Sequence, residues 1–106
     1  MIRGTTPTLE FRLPFLASLI KSAQILVSYV DDYKEVVIEK KLDECVLEGT
    51  TISTELTQEE TLAFPAPTTA SVQLRVVVDQ DGKDTTLATD IYKVKVKKLL
   101  KDGVLE

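Results

Sequence analysis

From Val72 to Asp79 every second residue is aliphatic: Val72, Leu74, Val76 and Val78, with Gln73, Arg75 and Asp79 among the positions between them. A period of two is the pleat of a β-strand, whose successive side chains point to opposite faces. An α-helix would scatter the same four residues around its circumference. The segment is therefore expected to be a strand with one face in a core, and its aliphatic content makes it the best candidate for a central one.

Weaker versions of the pattern recur along the chain. Leu9, Phe11 and Leu13 alternate with Glu10 and Arg12 until Pro14, which supplies no ladder donor. Ala23, Ile25, Val27 and Tyr29 line one face of a second expected strand, with Gln24 and Ser28 opposite and Asp31-Asp32 as the turn out. A third runs from Glu35 to Lys40 around the β-branched Val36, Val37 and Ile38. Cys45 to Glu48 and Thr51 to Leu56 read as a hairpin about Gly49, with Ile52 and Leu56 inward. After the Asp81-Gly82 turn, a polar stretch leads to a last strand in which Tyr92, Val94 and Val96 alternate with Lys93, Lys95 and Lys97. This strand and the Val72–Asp79 strand are expected to form a long hairpin. The segment from Leu99 to Glu106 is open: a strand extension, a turn, or a tail docked on a partner.

One segment breaks the period. In Thr57-Gln58-Glu59-Glu60 the threonine hydroxyl can accept from the Glu60 amide while the Glu60 carboxylate reaches back to the Thr57 amide. This capping box opens a short helical turn that Pro65 and Pro67 stop.

About seven short strands with turn signals every 8 to 12 residues or so indicate an all-β, antiparallel two-sheet sandwich, immunoglobulin-like in arrangement, with one short helical turn. The disulfide and strand tryptophan of antibody domains are absent, so the likeness is architectural. An open β-barrel of similar strand number is the alternative. With 106 residues, no internal repeat and no low-complexity linker, residues 1–106 are read as a single domain.

Composition removes much chemistry. There is no histidine, so an imidazole base is unavailable to a serine nucleophile, and one cysteine without histidine makes a zinc site improbable. That single Cys45 cannot form an internal disulfide, and its apolar neighbours Val46 and Leu47 suit a buried small hydrophobe. Asp79, Asp81 and Asp84 resemble the opening of a calcium loop but lack its flanking helices and closing glutamate, which leaves a solvated hairpin turn as the better reading. The four glycines are scattered and cradle no phosphate. A pair of acids running glycoside hydrolysis would need a deep cleft that a chain this short has little room for. No catalytic residue, cofactor or metal ligand is assigned. A net charge of -4 disfavours a general nucleic-acid binder. No secretion signal or membrane-length apolar run is seen, so cytoplasmic synthesis is expected, without membrane insertion.

Two features suggest contacts with other proteins. The row Lys93, Lys95 and Lys97, continued by Lys98, either guards an exposed strand against edge pairing or docks an acidic partner. In an immunoglobulin-like sandwich the third, sixth and seventh strands share a sheet, which brings outward Val37 and Val77 together beside Arg75 and the lysines. The candidate interaction face is therefore Val37, Arg75, Val77, Lys93, Lys95 and Lys97. The alternative is a cell-surface or carbohydrate binding module using loops at one end of the sandwich, with exposed Tyr33 and nearby carboxylates in a shallow groove.

The opening Met1-Ile2-Arg3-Gly4-Thr5-Thr6-Pro7-Thr8, the middle Leu56-Thr57-Gln58-Glu59-Glu60-Thr61, the strand Val72-Gln73-Leu74-Arg75-Val76 and the ending Leu100-Lys101-Asp102-Gly103-Val104 resemble a family of small phage and prophage proteins from Firmicutes. Such proteins sit among tail or baseplate genes. The short sandwich is similar to the amino-terminal immunoglobulin-like domain of phage baseplate upper proteins. The resemblance implies a structural or adaptor role in a virion, phage structural proteins as partners, a homo-oligomeric state on the particle and no active site. Baseplate upper proteins continue into a receptor-facing region whereas this chain ends at Glu106, which favours an accessory subunit over a receptor binder.

Overall fold

A computed structural model describes residues 1–105. Its elements in chain order are β1 (Thr8–Arg12), β2 (Ile20–Val30), β3 (Glu35–Lys41), β4 (Val46–Glu48), β5 (Thr51–Glu55), α1 (Gln58–Leu62), β6 (Thr68–Gln80), β7 (Lys83–Ala88) and β8 (Tyr92–Val96). Two antiparallel sheets pack face to face, as the all-β sandwich reading expects. The smaller has the order β1-β5-β4; the larger runs β3-β2-β6, with β7 and β8 both on the far side of β6. The molecule is a slab of 51 × 32 × 18 Å.

The aliphatic alternation becomes the 13-residue β6, longer than expected and paired along both edges. Ala70, Val72, Leu74, Val76 and Val78 are buried. Each valine or leucine so buried contributes about 1.5 to 3 kcal/mol of transfer free energy. Opposite them Ile52 and Leu56 fill the interior from the smaller sheet, and the ring centroids of Phe11 and Tyr92 lie 6.2 Å apart between β1 and β8.

Two details depart from the expected strand list. The polar stretch after Asp81-Gly82 is itself a strand, β7, which makes eight strands among the described residues, and β6 faces β7 over one half of its length and β8 over the other. Asp81 and Gly82 have φ of 54° and 80°, the doubly left-handed pair of a tight hairpin turn. Secondly, β2 lies between β3 and β6, because Asp31 folds β2 directly back onto β3. Its Oδ1 accepts the Tyr33 and Lys34 amides at 2.7 Å each.

The capping box forms as read: Glu60 N donates to Thr57 Oγ1 at 3.1 Å and Thr57 N to Glu60 Oε1 at 2.8 Å. The same carboxylate has a second task that local pattern does not reveal. Lys40 occupies a core-facing position on β3 with only 7% of its surface exposed, and its Nζ lies 2.9 Å from Glu60 Oε1 and 3.8 Å from Glu44 Oε2. A cation there is tolerable only because it is paired.

The chain ends hold each other. Met1 to Arg3 lie along the outer edge of β8, where Lys97 N donates to Met1 O and Arg3 N to Lys97 O. The Arg3 guanidinium donates to the carbonyls of Leu62 and Phe64 past the end of α1 and pairs with Asp102. Gly4 has φ +74°, a conformation strained for a residue with a side chain, and a Cβ there would press on Leu99 Cδ1 at 2.7 Å. The segment left open at the carboxyl end therefore docks on the chain's own start and on α1, with Leu105 N donating to Gln58 Oε1 at 2.8 Å. Its final residue, Glu106, lies outside the described residues.

The shared carboxylate predicts an asymmetry. Glu60→Ala leaves the Lys40 ammonium with only the more distant Glu44 carboxylate and removes the reciprocal half of the capping box, and is expected to cost about 3 kcal/mol. Lys40→Met keeps the packing and leaves Glu60 bonded to Thr57, so it costs distinctly less; urea unfolding compares the two. Burial pushes the Glu60 carboxyl up, but the Thr57 amide and the Lys40 ammonium outweigh it and hold it below its ordinary value. The resulting stability is present in full above the unfolded carboxyl value of about 4.3 and is lost as pH falls through the lower folded one. Acid unfolding of the Glu60→Gln variant should lack this contribution.

Candidate interaction face

Strand register decides which side chains share the outside of the larger sheet. One row across it is Val37, Ser28, Ser71 and Lys93 on β3, β2, β6 and β8. A second is Lys41, Gln24, Arg75 and Ala88, and a third joins Ser22, Val77 and Thr86. Lys95 stands two positions beyond Lys93 on β8, and Lys97 continues the alternation just past its end, bridged to Ile2. Val37, Arg75, Val77, Lys93, Lys95 and Lys97 thus all belong to one face of one sheet.

They do not form one patch. Val37 pairs with Ser28 and Val77 with Ser22, six residues apart on the intervening β2, or roughly 20 Å along the strand. The expected valine cluster fails because β2 stands between β3 and β6 and the register sets the two valines six residues apart along it. The face divides into a polar half and a lysine corner.

The polar half is cross-braced. Arg75 Nη2 donates to Gln24 Oε1 at 3.1 Å, Gln24 Nε2 donates to Glu39 Oε2 at 2.8 Å, and Lys41 Nζ lies 3.8 Å from Glu39 Oε1. Lys21 Nζ reaches Asp84 Oδ1 at 2.8 Å. Lys21, Gln24, Glu39, Lys41, Arg75 and Val77 line a broad concavity of about 800 Å³. Its cations are answered by side-chain oxygens of the same chain, so Arg75 serves here as a brace across strands rather than a free anchor.

The lysine corner differs. Lys93 Nζ donates to Ser71 Oγ at 2.8 Å, but among the described residues Lys93, Lys95, Lys97 and Lys98 form no ion pair. Lys95, Lys97 and Lys98 overhang a concavity of about 400 Å³ floored by Pro67, Thr68 and Thr69. At the same end, on the opposite margin of the sheet, the β2–β3 turn carries Tyr33 at 97% exposure and Val30 at 70%, flanked by Asp32 and Glu35.

The other candidates are occupied or dispersed. Asp79 Oδ1 accepts the Gly82 amide at 3.0 Å and Asp84 is held by Lys21, so these acids close a turn and brace a sheet. Among the described residues no three acidic or thiol groups converge as metal ligands would. Cys45 is half-buried rather than buried; its Sγ lies 3.3 Å from Lys41 O, and burial, with the Glu44 charge beside it, pushes its thiol up, away from the nucleophilic form. Tyr33 tops a turn and lines none of the four concavities described, including the two between β1 and the β7–β8 margin of about 430 and 260 Å³.

No helix among the described residues is long and apolar enough to cross a membrane. No family model, curated protein or solved structure matches the chain.

Asp31-Asp32 forms the turn that the residues mark, and Asp31 organises it through bonds that the residues alone did not give. Its Oδ2 accepts from Tyr29 Oη at 2.5 Å, and that bond, with the Tyr33 and Lys34 amides, holds its carboxyl below its ordinary value while raising the Tyr29 phenol. The sign is that of a depressed acid: its support for the turn persists above the unfolded carboxylate range and fades as pH falls through the lower folded value. In an NMR titration Asp31 should protonate at lower pH than it does in an unfolded peptide, and Tyr29→Phe should move it back toward the ordinary range.

Proposed function

We propose that the chain is a non-enzymatic structural or adaptor protein that works through protein–protein contacts made by the outer face of its larger sheet. The phage or prophage tail and baseplate setting implied by the resemblance is part of this proposal. The observation that carries it is the lysine corner: four lysines at one edge of a flat face, unpaired within the described chain although the molecule is acidic overall. Unsatisfied like charges held together favour an acidic partner and set where it docks.

Shape supports the same reading. A slab with faces of about 51 by 32 Å offers room for the roughly 800 Å² that each partner buries in a standard interface. The reactive side chains are braced into turns or ladders, and none of the concavities described brings two free acids face to face.

Mass spectrometry of particles induced and purified from a host carrying this sequence tests the proposal. Peptides of the chain should co-purify with tail or baseplate components. Their absence from particles, with the chain found free in the host cytoplasm, overturns it.

A further inference from the structure

The large sheet is electrically polarised from side to side. On its β8 margin stand Lys93, Lys95, Lys97 and Lys98; on its β3 margin, at the same end, stand Asp31, Asp32 and Glu35 against the single cation Lys34. The register makes the match closer. Val37 and Lys93 occupy the two ends of one cross-strand row, and because β3 and β8 run in opposite directions, Glu35 and Lys95 fall together one same-face step further on. Asp32 and Glu35 have no ion pair among the described residues, and neither do the lysines. Beside the acids, Tyr33 and Val30 expose apolar surface that a docked partner would cover.

We infer that a second copy of this chain docks the acidic tip of its β2–β3 turn on the lysine corner of the first, side by side and pointing the same way. This deepens the assembly reading above and rests on it. A sideways shift by one sheet width puts Glu35 of one copy level with Lys95 of the next and carries Asp32 and Tyr33 toward Lys97. The contact is made by side chains and not by extending the ladder, since Met1 to Arg3 already take the outward main-chain groups of Lys95 and Lys97. It is heterologous: each copy offers a different surface to its two neighbours, so repetition yields a ring or an open row. A turn tip buries little area, which makes the association weak for isolated copies and dependent on charge.

Sedimentation velocity on the full chain, over a range of concentrations at low salt, tests this with two double variants. Lys95→Glu with Lys97→Glu cancels the positive charge of the β8 margin and sets acids at the two levels the turn meets, and Asp32→Lys with Glu35→Lys sets cations at the matching levels of the β3 margin. Wild type is expected to associate, and each variant alone to associate about tenfold more weakly or worse. An equal mixture of the two should regain association, since every junction is then complementary, and this recovery also certifies that both fold. Raising salt from roughly 0.01 M to roughly 1 M, where the screening length falls from about 30 Å to about 3 Å, should dissociate wild type and mixture alike. A monomeric wild type at low salt, a variant that associates as wild type does, or a mixture that stays monomeric each overturns the inference. A monomeric wild type whose peptides are still found in particles overturns self-docking alone, whereas self-association with absence from particles overturns the assembly role alone.

Discussion

Everything in this fold is hung on β6. The longest strand among the described residues, it has partners on both edges, β2 on one side and β7 followed by β8 on the other. Its five buried side chains supply the floor on which the smaller sheet rests. That double pairing also fixes the outside of the sheet, because a strand whose inner residues are locked in a core cannot slip by one position without burying Arg75 and Gln73 and exposing Leu74 and Val76. The rows that set Lys93 level with Val37, and Lys95 level with Glu35, therefore inherit their precision from packing on the opposite face.

A second constraint ties the margin of that sheet to the rest. Lys40 takes a place where alternation calls for an aliphatic residue, and Glu60, twenty positions later, answers it while capping α1. One carboxylate thus joins β3 to the crossover between the sheets. Isolated buried pairs are seldom better than a hydrophobic replacement for stability alone. Here the pair ties the end of β3 farthest from the β2–β3 turn to the start of α1.

Local chemistry made several elements legible and long-range pairing hid the others. The aliphatic alternation of β6, the Thr57–Glu60 reciprocal cap and the Asp81-Gly82 turn each carry their cause within a few residues, and each forms as read. β7 was invisible because Lys83-Asp84-Thr85-Thr86-Leu87-Ala88 is an edge strand with a single large apolar residue, too little for a period to register. The buried Lys40, the clasp of Arg3 on the end of α1, and the insertion of β2 between β3 and β6 depend on partners distant in sequence, which no pattern along one segment encodes. The same limit split the candidate face: alternation put Val37 and Val77 on the correct side of the sheet, while their spacing across it was a matter of strand order. The lysine row needed only alternation and was placed correctly.

Strand edges are where a β protein joins others by default, and here each is blunted in its own way. β8 is lined by Met1 to Arg3 over Lys95 and Lys97. β3 carries Glu35, Glu39 and Lys41 along its length, β4 is three residues long, and β7 begins with Lys83 and Asp84. An edge that discourages ladder extension still presents its side chains, and a ring of charges that prevents indiscriminate pairing can select a complementary one. The two readings of the lysine row, protection and docking, are on this view one device: the charges that stop β8 from accepting an arbitrary strand are the charges an acidic turn held at the matching height satisfies. What distinguishes a guarded edge from a docking edge is whether the complement exists at the right level, and in this sheet Glu35 stands level with Lys95.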